Sequence, residues 1–200
     1  MYSFFENSLK KEFPANKKKV QIILCHTSRN LNEYLLSLKY RKNGKYDKIP
    51  NFLVAKTGKV INLLLSDNYS NYFDNPDINH NSIIISLENL GWLEKVQLTS
   101  DYINWIGDIY KGVPFERKWR DYFFWDPYTT DQMKSLVNLC LELCKKYKIP
   151  IECITHNTKI TNIEKFNGIV SKSNFDQIFT DVSPAFDFNK FTNMLKNEQL

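Results

Sequence analysis

The chain has 200 residues, 42% of them hydrophobic and 24% charged, which is the composition of a folded domain and excludes a disordered chain. Its formal net charge of +5 is too small to indicate nucleic-acid binding, although it would suit an anionic polymer. No apolar run reaches the length of a membrane-spanning helix, and the N-terminus lacks the basic-then-apolar order of a signal peptide. We therefore expect neither a membrane nor a nucleic acid as partner.

The first nineteen residues, 1–19, end in three lysines and are predicted to form an N-terminal arm. Residues 20–200 contain no linker and no repeat, so we expect a single domain. Its first element is the apolar run VQIILCHTSRN, residues 20–30, which predicts a buried strand that delivers His26. A polar residue at the carboxyl end of such a strand lies where open α/β sheets bind their ligands.

Three elements are predicted between residues 30 and 81. Asn30 can cap a helix whose apolar positions follow a 3.6-residue period: Leu31, Tyr34, Leu35 and Leu38. Residues 51–64 have the pattern of a β-hairpin, with Thr57 and Gly58 at its turn. Residues 66–81, rich in Asn and Asp, are predicted to be a polar loop that includes His80.

The run NSIIISLEN, residues 81–89, is almost uninterruptedly aliphatic and predicts a central strand. Alternation places Ser86 and Glu88 on one face of this strand and Ile85 on the other. The segment at about residues 93–125 is irregular and dense in aromatic residues. It indicates an insertion, either folded over the sheet by its own aromatic side chains or presenting a sugar-stacking surface.

The clearest helix follows Thr129, which together with Gln132 fits a capping box, and Pro150 stops it. Residues 151–155, IECIT, are predicted to be a short strand that leads to His156. After a loop, residues 179–191 precede a terminal helix. Together these elements predict an α/β fold with a mixed central β-sheet flanked by helices.

Two of the three histidines, His26 and His156, follow predicted strands, and Asp181 lies in a segment near the C-terminus. Two histidines and one carboxylate form a known catalytic zinc set that leaves a fourth position for water. Such a zinc ion polarises an amide carbonyl and lowers the pKa of its bound water to about 7. The competing interpretation of each histidine is a hydrogen-bonded polar residue at the end of a strand.

Six motifs, in this order, carry a family resemblance: ILCHTS, NFLVAKTGKV, NSIIISLEN, YTTDQMKSLVNLCLEL, ITHNT and TDVSPAF. Over residues 20–191 the chain resembles the zinc-dependent N-acetylmuramoyl-L-alanine amidases of the phage lysozyme type, which are related to peptidoglycan recognition proteins. The resemblance implies a Zn2+ cofactor and hydrolysis of the amide that joins N-acetylmuramic acid to L-alanine in peptidoglycan. It also implies zinc ligands at His26, His156 and Asp181. Some members have two consecutive histidines at the first position, and that alignment would give the role to Cys25 instead.

The chain departs from the family at three positions where members carry groups that assist catalysis: Pro50, Ser86 and Phe179. Glu88, on the same face as Ser86, is the candidate catalytic base. Three other residues are candidates for contact with the oxyanion: Tyr46, Lys172 and Thr180.

The sequence thus predicts a zinc-dependent peptidoglycan hydrolase, a phage endolysin or virion-associated lysin. Such a lysin would reach the wall from the host cytoplasm through a holin, or from the virion. The alternative is a non-catalytic peptidoglycan-binding or virion structural protein that keeps the fold and contacts other virion proteins. A third hypothesis, a hydrolase with Cys25 as nucleophile, needs a reactive thiol, which an aliphatic strand disfavours.

Overall fold

The structure, a computed structural model, describes residues 3–4 and 13–198. The strands in chain order are β1 (Ser3–Phe4), β2 (Gln21–His26), β3 (Phe52–Val54), β4 (Val60–Asn62), β5 (Ser82–Leu87), β6 (Trp92–Lys95), β7 (Tyr102–Ile103), β8 (Ile109–Tyr110), β9 (Phe115–Trp119), β10 (Tyr122–Trp125) and β11 (Gly168–Ser171). The α-helices are α1 (Leu31–Tyr40), α2 (Pro76–Asn81), α3 (Thr130–Tyr147) and α4 (Phe188–Asn197). No helix in these ranges is long and apolar enough to cross a membrane.

The central sheet has the strand order β1-β4-β3-β5-β2-β11. Strand β2 lies between β5 and β11 and is parallel to both, whereas β3 and β4 pair as an antiparallel hairpin. All residues of β2 and β5 are buried, as expected of parallel strands covered on both faces. This mixed sheet with flanking helices confirms the predicted α/β fold.

Local sequence signals explain the predicted elements that the structure contains. The Asn30 side chain accepts the backbone N–H of Glu33 and caps α1, and Thr129 accepts the N–H of Gln132 and caps α3. The second half of the predicted capping box is wrong, because the Gln132 side-chain oxygen accepts no hydrogen bond from the described residues. The Gln132 amide nitrogen instead donates to the carbonyls of Val54 and Glu88. That contact fixes the start of α3 against the central sheet.

Four predicted segments differ from the structure. The loop at 66–81 ends in helix α2, which begins at Pro76 and is capped by Asn75. Residues 151–155 form only an isolated bridge, Cys153 to Ile169, because β11 occupies the place beside β2. The terminal helix α4 begins at Phe188, four residues before the predicted start at residue 192. Within the predicted arm, residues 1–2 and 5–12 lie outside the described ranges, and β1 pairs with β4.

The predicted insertion forms a second, antiparallel sheet with the order β8-β7-β6-β10-β9. Its own aromatic side chains hold it together: Trp92 stacks on Tyr122 with ring centroids 4.4 Å apart, and Trp125 is fully buried. The Trp105 indole N–H donates to the Ser28 carbonyl at 2.7 Å and fastens this sheet to the segment after β2. The second sheet therefore lies beside the carboxyl end of β2.

Candidate functional site

His26 is the last residue of β2, an interior strand of the central sheet, and is 6% exposed. Its Nδ1 lies 3.2 Å from the Tyr128 hydroxyl oxygen, while its Nε2 has no hydrogen-bond partner among the described residues. Nε2 packs beside Gly91, where an added Cβ would stand only 3.2 Å away. Burial lowers the pKa of His26 to about 4, against the opposing effect of Asp181, so the imidazole is neutral at pH 7.

Tyr128 was not among the predicted site residues, although it opens the YTTDQ motif. Its hydroxyl oxygen accepts the backbone N–H of Ser183 at 3.3 Å as well as contacting His26. Burial raises the pKa of the Tyr128 phenol far above its usual value, so the hydroxyl stays protonated. Tyr128 therefore links the end of β2 to the segment that follows Asp181.

Cys25 points to the opposite face of the sheet from His26, as alternation along β2 requires. Its Sγ lies 3.1 Å from the Tyr72 hydroxyl oxygen. Burial, followed by the charge of Asp181, raises the pKa of the Cys25 thiol to about 12. A thiol that is buried and protonated at neutral pH is a poor nucleophile, which counts against the hypothesis of a cysteine hydrolase.

Asp181 lies next to the end of β2 and is 5% exposed. Its Oδ2 accepts the backbone N–H of His26 at 3.4 Å and lies 3.7 Å from the Lys172 ammonium. Its carbonyl accepts the backbone N–H of Ser173 at 2.7 Å. The carboxylate is thus held by the backbone of β2 on one side and by an ammonium group on the other.

His156 is exposed and its ring is turned toward its own loop. Its Nδ1 lies 2.7 Å from the Thr158 hydroxyl oxygen. Other groups of this segment contact the neighbouring loops: the Asn174 side-chain amide donates to the His156 carbonyl, and the Asn157 side-chain amide donates to the Val182 carbonyl. The structure therefore brings His26 and Asp181 together but leaves the His156 ring outside.

The three predicted zinc ligands do not fit a metal site as the side chains stand. Within residues 3–4 and 13–198, no group of three His, Cys, Asp or Glu side chains is arranged to hold a metal ion. His26 offers an unpartnered ring nitrogen, but that nitrogen faces Gly91, and the Asp181 carboxylate faces an ammonium. The alternative first ligand, Cys25, contacts Tyr72 and carries a protonated thiol.

Glu88, the predicted catalytic base, uses both carboxylate oxygens to bind backbone N–H groups. Its Oε1 accepts from Leu31, the first residue of α1, at 2.9 Å, and its Oε2 accepts from Lys56 at 2.8 Å. These contacts satisfy one of the free donors at the N-terminus of α1 and fix the β3–β4 turn to β5. The geometry thus favours a structural role, and the catalytic role stays a prediction.

A groove of about 300 Å³ opens between β9 and the loop before α4. Phe115 and Arg117 of β9 form one wall, and Thr155 and Phe186 belong to the other side. The Phe186 ring meets the Tyr128 ring edge-on at 5.3 Å, so the groove adjoins the end of β2. Its lining combines aromatic rings with the Arg117 guanidinium and the Asp187 carboxylate, and these groups can bind a sugar or a peptide.

Several solved structures are similar to this chain in fold. The endolysin N-acetylmuramoyl-L-alanine amidase LysCS from Clostridium intestinale is 15% identical, with 98% of this chain and 95% of that chain covered and a TM-score of 0.54. The hydrolase AmiA from Staphylococcus aureus is 9% identical, with 99% of this chain and 82% of that chain covered and a TM-score of 0.58. The amidase AmiD from E. coli was solved in complex with anhydro-N-acetylmuramic acid-L-Ala-D-gamma-Glu-L-Lys. It is 16% identical, with 92% of this chain and 59% of that chain covered and a TM-score of 0.52. This chain thus spans less than two thirds of AmiD.

No curated protein matches the sequence. The sequence profile of the N-acetylmuramoyl-L-alanine amidases matches residues 16–166, three quarters of the chain. This match confirms the family resemblance and the predicted enzyme class. The chain belongs to the N-acetylmuramoyl-L-alanine amidase family.

Proposed function

We propose that this protein hydrolyses the amide between N-acetylmuramic acid and L-alanine in the peptidoglycan of a bacterial cell wall. The family match supports this reaction, and the AmiD structure contains a ligand with that linkage. The observation that carries the proposal in this chain is the groove lined by Phe115, Arg117 and Phe186. Phe186 contacts Tyr128, and Tyr128 contacts His26, so the groove is connected to the end of β2.

The groove walls match the two chemical parts of a muropeptide. Phe115 is 39% exposed and offers an aromatic face to a sugar ring, and the Arg117 guanidinium can pair with a stem-peptide carboxylate. At the end of β2, Asp181 provides a carboxylate that can accept a proton from water. The Tyr128 hydroxyl can donate a hydrogen bond to the bound amide.

No step of this proposed mechanism uses the predicted zinc ion. Zinc is typical of the family, and His26, His156 and Asp181 remain its predicted ligands in this chain. However, the His156 ring bonds with Thr158 in an exposed loop, and Asp181 already faces a cation. The arrangement therefore does not fit the predicted ion.

We further propose that the protein is a phage lysin. The similar fold of the endolysin LysCS supports this role. A lysin needs hydrolysis as well as binding, which separates it from the alternative of a virion structural protein that only binds the wall.

The test incubates the purified protein with purified peptidoglycan and measures the release of L-alanine amino termini. We expect release, reduced at least about 100-fold in Asp181→Asn, since a proton-transfer group typically contributes that much. The matched control is Asp176→Asn, which alters the partly exposed partner of Lys159 and should keep activity. Tyr128→Phe provides a second site variant that preserves the ring packing against Phe186. Binding to peptidoglycan without any new amino termini would refute hydrolysis and favour the binding protein.

A further inference from the structure

The ammonium of Lys172 is a positive charge that the structure places beside the Asp181 carboxylate. Lys172 follows β11 and begins a short 3-10 turn over residues 172–174, in which Ser171 and Asn174 form a capping box. Its side chain is 19% exposed and that of Asp181 is 8% exposed, with 3.7 Å between Nζ and Oδ2. A surface ion pair is open to water, whereas this pair is largely enclosed.

Two aromatic rings hold the ammonium in place. Nζ lies 4.3 Å from the centroid of the Phe179 ring and 5.4 Å from that of the Tyr72 ring. Both distances are within the range of cation–π attraction. Tyr72 in turn contacts Cys25, so the ammonium lies in a cluster that also contains the alternative first ligand. Phe179 stands where the resemblance leads one to expect a lysine, and Lys172 supplies a lysine ammonium from a different part of the chain.

A divalent cation bound to Asp181 would have to share the carboxylate with this ammonium. Ligand oxygens lie about 2 Å from zinc, so the ion would be only a few ångström from Nζ. In a largely buried site the repulsion between the two cations is weakly screened. The same carboxylate also accepts the His26 N–H, and the His156 ring contacts the Thr158 hydroxyl instead.

We propose that the Lys172 ammonium takes the place of the metal ion at this site, so that the chain holds its substrate without a bound divalent cation. The ammonium then compensates the charge of Asp181 and, together with the Tyr128 hydroxyl, can donate a hydrogen bond to the oxygen of the scissile amide. Only this last role rests on the proposed function. The metal content of the protein is independent of it.

The test measures zinc by elemental analysis after incubation with excess ZnSO4 and gel filtration, together with the melting temperature in zinc and in EDTA. For the wild type we expect far less than one zinc per chain and the same melting temperature in both. A tight site, at zinc one hundred times above its dissociation constant, would instead raise the melting temperature by at least about 5 °C. One zinc per wild-type chain, or such a rise, would overturn the inference.

Two variants test the role of the ammonium. Lys172→Met keeps the length of the side chain and removes its charge, and Lys159→Met is the matched control from the exposed pair with Asp176. We expect Lys172→Met to lose muropeptide hydrolysis and to be less stable, Lys172→Arg to restore part of both, and Lys159→Met to change neither. Full activity of Lys172→Met, or loss of wild-type activity in EDTA, would contradict the proposal. If the wild type binds no zinc and hydrolyses no peptidoglycan either with or without added ZnSO4, the proposed function alone is refuted.

Discussion

Replacing Glu88 by alanine separates the structural role seen in the geometry from the catalytic role predicted from the sequence. The substitution removes the acceptors for the N–H groups of Leu31 and Lys56. Hydrogen bonds to charged groups contribute about 1.5–3 kcal/mol each, and water can replace part of this at a half-buried carboxylate. We therefore expect the free energy of unfolding to fall by about 2–4 kcal/mol, which corresponds to roughly 9 °C in melting temperature for a chain of this size.

Urea denaturation of Glu88→Ala measures this change, and muropeptide hydrolysis well below the melting temperature measures catalysis. Glu88→Gln keeps one acceptor oxygen and should lose about half as much stability. Glu94→Ala, an exposed position on β6, is the control and should change stability by less than about 0.5 kcal/mol. If Glu88→Ala were as stable as the wild type but inactive, the structural reasoning would be refuted and the predicted base supported.

Three further predictions concern buried ionisable groups. Because its pKa is raised to about 12, Cys25 should resist iodoacetamide at pH 8 in the native protein and react only after unfolding; rapid native alkylation, detected by mass spectrometry, would contradict this. The folded pKa of His26, about 4, lies below its usual 6.5, so its contribution to stability is lost as the pH falls between these values. Urea denaturation should show that the free energy of unfolding falls by about 3 kcal/mol over this pH interval, and the fall should be absent in His26→Phe. Asp126 is fully buried against Lys56, so Asp126→Asn should destabilise the fold by about 3 kcal/mol, whereas Asp74→Asn on the exposed surface should have almost no effect.

The sequence could predict the elements whose signals are local. An aliphatic run specifies a buried strand wherever it is placed, so β2 and β5 were predicted correctly. Asn30 and Thr129 act on N–H groups three residues away, so the starts of α1 and α3 were also predictable. Periodicity does not specify a partner, however. Residues 151–155 are predicted to be a strand, but they form only an isolated bridge, and β11 is the strand that pairs with β2.

The second sheet and the site depend on contacts that are distant in the sequence. The strands of the second sheet are two to five residues long, too short to show a period, and aromatic packing decides their arrangement. Alternation correctly places Cys25 and His26 on opposite faces of β2. Nothing in the local sequence around Lys172 indicates that its ammonium faces Asp181, because the turn over residues 172–174 sets that direction.

The pairing of β2 with β11 also governs when the site can form. Gln21 lies opposite Gly168, so the two strands come from opposite ends of the chain. Such long loops close slowly, because their entropy must be overcome before the paired strands stabilise each other. During synthesis β2 is made first, and its edge toward β11 stays unpaired until β11, Lys172 and Asp181 have been made. The carboxyl end of β2 therefore takes its final surroundings only after β11 and the residues that follow it have been synthesised.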